Sequence, residues 1–121
     1  MVRNKRILLV LVAVIFLLVG CKMWLPWGKK ADMARATPDG LYQQGLEEYK
    51  AGSYKKSVEL FQRVKEEYPL SPLAIMAEIG IADSFFSGKE YLEAGLAYSE
   101  FLSLHPTNEN LPYVMYQIGM C

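Results

Sequence analysis

Two stretches decide the fold: Tyr54-Lys55-Lys56-Ser57-Val58-Glu59-Leu60-Phe61 and Tyr91-Leu92-Glu93-Ala94-Gly95-Leu96-Ala97-Tyr98. Laid over one another they match a tyrosine to a tyrosine, a small residue (Ser57, Ala94) to a small residue, and an aromatic (Phe61, Tyr98) to an aromatic. Pro69 and Pro106 then fall in register, at a shift of about 37 residues, a period typical of helical repeats. Carried backwards and forwards, the same shift aligns Gly45 with Ala82 and Gly119, and Tyr42 with Ile79 and Tyr116. Two units are complete and a third has begun.

Each unit reads as a pair of helices. Leu41, Tyr42, Gly45, Leu46 and Tyr49 recur at one face of a first helix. Gly52 supplies a left-handed exit, and Ser53 is expected to cap the next helix. Tyr54, Ser57, Val58, Phe61, Val64 and Tyr68 form the stripe of that second helix, which Pro69 ends. Ser71-Pro72 is a start signal, a capping side chain before a proline at the first helical position. Leu73 to Phe86 makes the next helix, closed by Gly88, and Tyr91 to Leu104 its partner. Asn110 opens a fifth helix that runs to Cys121. The small residues Gly45, Ala82, Ser57 and Ala94 let helix backbones approach, and aromatics fill the remaining space. This small–large pattern resembles the tetratricopeptide repeat, with the exit glycine of the second unit one residue early at Gly88. The expected fold is all-α: a tetratricopeptide α-solenoid over residues 38–121, of two helical hairpins and the first helix of a third.

Ahead of the repeats, Arg3, Lys5 and Arg6 precede an uncharged run from Ile7 to Val19, then Leu18-Val19-Gly20-Cys21. This is a secretory signal with a lipobox, which predicts cleavage between Gly20 and Cys21 and acylation, such as palmitate, on Cys21. The apolar run is about 13 residues, short of the ~20 a membrane-spanning helix needs. Residues 1–20 are thus expected to be signal peptide and 21–37 a lipid-anchored tether. Trp24 and Trp27 in the tether suit the headgroup layer, and Lys22, Lys29 and Lys30 suit anionic lipid; the two tryptophans equally suit packing on the domain or a place in a floppy linker.

The chain has thirteen basic and thirteen acidic residues. Removing Arg3, Lys5 and Arg6 with the signal leaves three more acids than bases, a balance with no electrostatic footprint for nucleic acid. His105 is the single histidine, read as a carbonyl cap or a solvated residue at a helix end. The two cysteines are Cys21 and Cys121. Cys121 reads as a small buried hydrophobe, or as one half of a pair whose other cysteine lies further along a longer chain. With one histidine and no clustered cysteines there is no metal-ligand set. No catalytic constellation and no nucleotide-binding glycine loop is present, so no cofactor and no enzyme activity is expected.

Lipobox, short tether and repeats of this length together resemble the BamD (ComL/YfiO) family of outer-membrane assembly lipoproteins. Tyr42 to Pro69 carries part of the likeness. The more specific part is His105-Pro106-Thr107-Asn108-Glu109-Asn110 leading into Tyr113-Val114-Met115-Tyr116-Gln117-Ile118-Gly119. The resemblance implies a truncated, amino-terminal portion of a longer array. It implies a non-catalytic lipoprotein on the periplasmic side of the outer membrane, a repeat scaffold in the machinery that inserts β-barrel proteins. The implied partners are the barrel-forming central subunit, other assembly lipoproteins and unfolded outer-membrane proteins. By family register the concave face would present Tyr42, Leu46, Tyr49, Ile79, Asp83, Phe86, Tyr113 and Tyr116, with Tyr49 and Phe86 side by side, as a peptide groove. Aromatics at helical spacing equally suit the inter-helix core. A tetratricopeptide pilotin lipoprotein for secretin assembly, or a cell-wall or division-associated repeat lipoprotein, would share anchor and repeat.

If the lipobox reading holds, Cys21→Ser releases the protein from the membrane fraction and abolishes labelling by a radioactive fatty acid. Tight membrane association of that variant would contradict it.

Overall fold

The computed structural model describes residues 4, 5, 7–10 and 36–121. The chain divides into two compact units, 1–33 and 34–121. In the first, the described residues are helical and exposed. Gly20, Cys21 and the tether residues up to 35 lie outside the described residues. No described helix is long and apolar enough to cross a membrane.

The second unit holds five helices: α1 (Pro38–Lys50), α2 (Tyr54–Glu67), α3 (Pro72–Ser87), α4 (Tyr91–Leu104) and α5 (Leu111–Met120). Each packs on the next, and α1 also packs on α3. That is the arrangement of a tetratricopeptide stack, in which the first helices of successive hairpins lie side by side. Thr37 starts α1 by accepting the Gly40 N–H at 3.0 Å, with Pro38 in the first turn. Ser71 does the same for α3, accepting the Leu73 N–H at 3.2 Å ahead of Pro72. Ser53, expected to cap α2, makes no capping hydrogen bond with its side chain. Asn110 also leaves α5 uncapped; its own N–H instead donates to Asn108 Oδ1 at 2.9 Å.

The core begins at Phe61. Its ring lies between Gly45 of α1 and Gly80 of α3, so tightly that a Cβ at either glycine would come within 2.7 Å of a ring carbon. Beside it, Ser57 Oγ donates to the Gly45 carbonyl at 2.8 Å. Ser84 Oγ lies 3.1 Å from Ser57 Oγ and 2.6 Å from the Gly80 carbonyl. Buried hydroxyls thus satisfy one another and the backbone where the helices touch. Leu41, Val58, Leu60, Val64, Ala77 and Ile81 complete this first cluster. Ala82, Ala94, Tyr98, Phe101 and Val114 form the second. The repeat extends to ring pairs. Tyr49 meets Tyr54 edge-on at 5.6 Å, and Phe86 meets Tyr91 in the same way at 5.3 Å.

Two expectations are corrected, and a third is decided between its alternatives. The left-handed exit of the second hairpin is not Gly88, whose φ is −75°, but Lys89, at φ 63°. Lys89 holds the position of Gly52 in the repeat, where φ is 80°. The turn has kept its conformation without its glycine. His105 caps α4 with its backbone N–H, which donates to the Phe101 carbonyl at 2.9 Å, but its ring does not stand free in solvent: Nε2 lies 2.7 Å from Glu78 Oε2, and the ring packs on Phe101 at 4.7 Å. Cys121 is exposed rather than buried, just beyond α5.

Two substitutions test this account by thermal melting. Gly80→Ala drives a methyl into Phe61 and should cost about 1–3 kcal/mol, despite alanine's better helix propensity. Lys89→Gly relieves the left-handed strain and should stabilise by about 0.5–1 kcal/mol.

Candidate functional site

A cleft of about 200 Å³ opens along the first helices of the three units. α1 contributes Tyr42, Leu46 and Tyr49; α3 contributes Met76, Ile79, Gly80 and Asp83; α5 contributes Tyr113, and Asn110 stands just before it. Phe61 of α2 forms part of the floor. First-helix residues reach this face because side chains three and four apart on a helix share a side. Tyr42, Leu46 and Tyr49 on α1, and Met76, Ile79, Gly80 and Asp83 on α3, keep that spacing.

Six of the eight residues expected on this face line the cleft: Tyr42, Leu46, Tyr49, Ile79, Asp83 and Tyr113. Phe86 is not among the lining residues; its ring meets Tyr91 edge-on. Tyr116 is 64% exposed and also lies outside it. Of the residues not foreseen, Gly80 and Phe61 enter through the close approach of α2 to α3. Met76 occupies the position of Tyr113 one repeat earlier, a signal the register carries. The alternatives of core and groove turn out not to exclude each other. Tyr42 is half-buried, with its ring 5.3 Å from Phe61, and still lines the cleft. Tyr49 shares a 2.8 Å hydrogen bond with Ser87 Oγ of α3.

Asp83 is the single charged residue of the lining. Its Oδ1 accepts from the hydroxyls of both Tyr98 and Tyr113, the latter at 2.7 Å. Gln117 Nε2 donates to the Tyr113 hydroxyl at 3.1 Å. Burial raises the Asp83 pKa, and the two phenolic hydrogen bonds offset part of that rise. Burial likewise pushes the phenols up, and the neighbouring carboxylate adds to it. Tyr113 reaches about 12, and Tyr98 moves in the same direction. The repeat explains why this cluster exists. Phe61 becomes Tyr98 one unit on, and the added hydroxyl, in a fully buried side chain, requires an acceptor. Leu46 becomes Asp83 at the same shift and provides it.

Across the helical region, residues 34–121, the chain matches the family model YfiO, outer membrane lipoprotein. The chain belongs to the YfiO (BamD) family. Three curated relatives carry the name outer membrane protein assembly factor BamD. That of Rickettsia prowazekii is 30% identical over 112 residues, 92% of this chain and 43% of the relative. That of Xylella fastidiosa is 26% identical over 115 residues, 95% of this chain and 38% of the relative. That of Pasteurella multocida is 21% identical over 89 residues, 74% and 34% respectively. The chain therefore spans less than half the length of these BamD relatives. The YfiO match takes in α1 to α5 and every residue lining the cleft.

The tyrosine–carboxylate cluster of this YfiO-family chain has a pH signature. Tyr113 and Tyr98 bind their protons more tightly folded than unfolded. Between the ordinary phenol value of 10.0 and about 12 the native state therefore holds more protons. Stability should fall as pH rises through that window. Absorbance titration of phenolate should show a late-titrating tyrosine that Tyr113→Phe removes. A titration in which every tyrosine ionises near 10 would contradict the cluster.

Proposed function

We propose that this chain serves in outer-membrane protein assembly as a non-catalytic lipoprotein, and that the α1–α3–α5 cleft holds an extended segment of an unfolded outer-membrane protein. One observation carries the reading: membership of the YfiO family extends over the whole set of helices that build an aromatic-lined cleft. The names of the BamD relatives support the assembly role. An open cleft walled by Tyr42, Tyr49 and Tyr113 supports the substrate segment. Such rings offer large contact area with few rotatable bonds, so gripping a peptide costs little side-chain entropy. Acylation at Cys21 would hold the scaffold on the periplasmic face of the outer membrane. There it would meet the barrel-forming central subunit and other assembly lipoproteins. A family of assembly factors supports the absence of an enzymatic role.

Leu46 and Met76 face the cleft from α1 and α3, and Met76 is 44% exposed, so shortening both removes contact area with modest damage to the fold. Titration of Leu46→Ala/Met76→Ala with a synthetic carboxy-terminal segment of an outer-membrane barrel protein should show about tenfold or greater weakening. Circular dichroism should show a cooperative helical melt retained. Unchanged affinity in the folded variant would remove the cleft as the binding site.

A further inference from the structure

The cleft is not uniformly apolar, and its one charge is placed asymmetrically. Both tyrosine hydroxyls donate to the same oxygen of Asp83, Oδ1. Among the described residues no hydrogen bond reaches Oδ2. Yet no buried side-chain oxygen among the described residues lacks a partner, so Oδ2 is open to solvent. Because Asp83 lines the cleft, the opening is the cleft itself. Among the described residues no Lys, Arg or His lines the cleft, and the described ion pairs, Glu48 with Lys56, Glu67 with Arg63, Glu100 with Lys65 and Glu78 with His105, leave Asp83 out. A carboxylate set among Tyr42, Ile79 and Tyr113 thus leaves one oxygen to water or to an incoming donor, and its partly buried surroundings strengthen a charged donor's attraction there.

We propose that the cleft recognises an extended peptide through a basic side chain, Lys or Arg, whose cationic head meets Oδ2 of Asp83 while its aliphatic stem lies along Leu46, Met76 and Ile79. The proposal rests on the reading of the cleft as a peptide groove and names the feature it selects. The stem of either basic residue is apolar and the head charged, which matches apolar walls with one acid between them. Tyr42 and Tyr113 flank the acid and present faces on which a guanidinium or ammonium is attracted to the ring quadrupole. At about 200 Å³ the cleft suits one long side chain with its backbone crossing the mouth. The Tyr98 and Tyr113 hydroxyls hold the carboxyl in place, so a ligand need not order it.

The test compares two fluorescent peptides on the full chain: an extended peptide of alternating aromatic and polar residues with one central arginine, and the same peptide with citrulline there. Citrulline keeps the shape and loses the charge. The arginine peptide should bind about tenfold more tightly, the worth of a charge-assisted hydrogen bond. Asp83→Asn keeps an oxygen to accept from both tyrosines and removes the charge, and should bring the two peptides to equal affinity. Equal binding of both peptides by the unaltered protein overturns the inference and leaves the groove standing. So does a persisting arginine preference in a folded Asp83→Asn. If neither peptide binds, the groove reading falls as well. The comparison on the unaltered chain is independent of whether the variant folds.

Discussion

The ring of Phe61 between Gly45 and Gly80 is the contact on which the rest depends. It joins three helices at once: α2 supplies the ring, α1 and α3 supply the glycines. Neither glycine is there for backbone freedom; both are helical, and their missing side chains let the ring fit. The close approach also brings the Ser57 hydroxyl onto the Gly45 carbonyl and within reach of Ser84. With α1 and α3 held at this distance on either side of one ring, their outer faces cannot meet fully. The gap above the ring is the cleft, and Phe61 is part of its floor. Fold and candidate site therefore share Phe61 and Gly80.

The second unit repeats the design with polar chemistry. Tyr98 stands where Phe61 stood, opposite Ala82 in place of Gly45, and it is fully buried. Its hydroxyl reaches past the core to Asp83, which stands where Leu46 stood. The phenol–acid contact then recruits Tyr113 from α5. One hydrogen-bonded cluster built on a carboxylate ties α3, α4 and α5 together, where the first unit uses the Ser57 and Ser84 hydroxyls. In a stack whose stability is a sum of neighbouring interfaces, this gives the second interface a directional link. It also sets a charge in a cleft that is otherwise uncharged.

Much of this was legible from residue order. The shift that matches Phe61 to Tyr98 and Pro69 to Pro106 determined the hairpins, their number and the helix class. It did so because a repeat must place the same side-chain sizes at the same contacts. Local signals with a single physical cause were equally readable: Gly52 needs a left-handed turn, and Ser71-Pro72 starts a helix. Where two local solutions compete, reading by residue type went astray. Gly88 looked like the exit, but the repeat geometry keeps the left-handed position at Lys89 and imposes it on a residue with a side chain. Ser53 looked like a cap, yet α2 begins without one.

What only the tertiary structure decided is which faces are used and which atoms meet. Helical periodicity puts Tyr49, Phe86, Tyr113 and Tyr116 on first helices. It does not say that Phe86 and Tyr116 stay out of the cleft lining while Tyr49 and Tyr113 enter it, since that depends on the angle at which neighbouring helices cross. The pairing of His105 with Glu78 joins residues far apart in the chain through the α3–α4 packing. The same holds for Asp83, an ordinary helical acid in the sequence. Its single shared oxygen, its two phenols and its open side exist only because α3, α4 and α5 converge there. Side-chain size determines a repeat, whereas the partners of a buried polar group are set by distances that close only when the helices have packed.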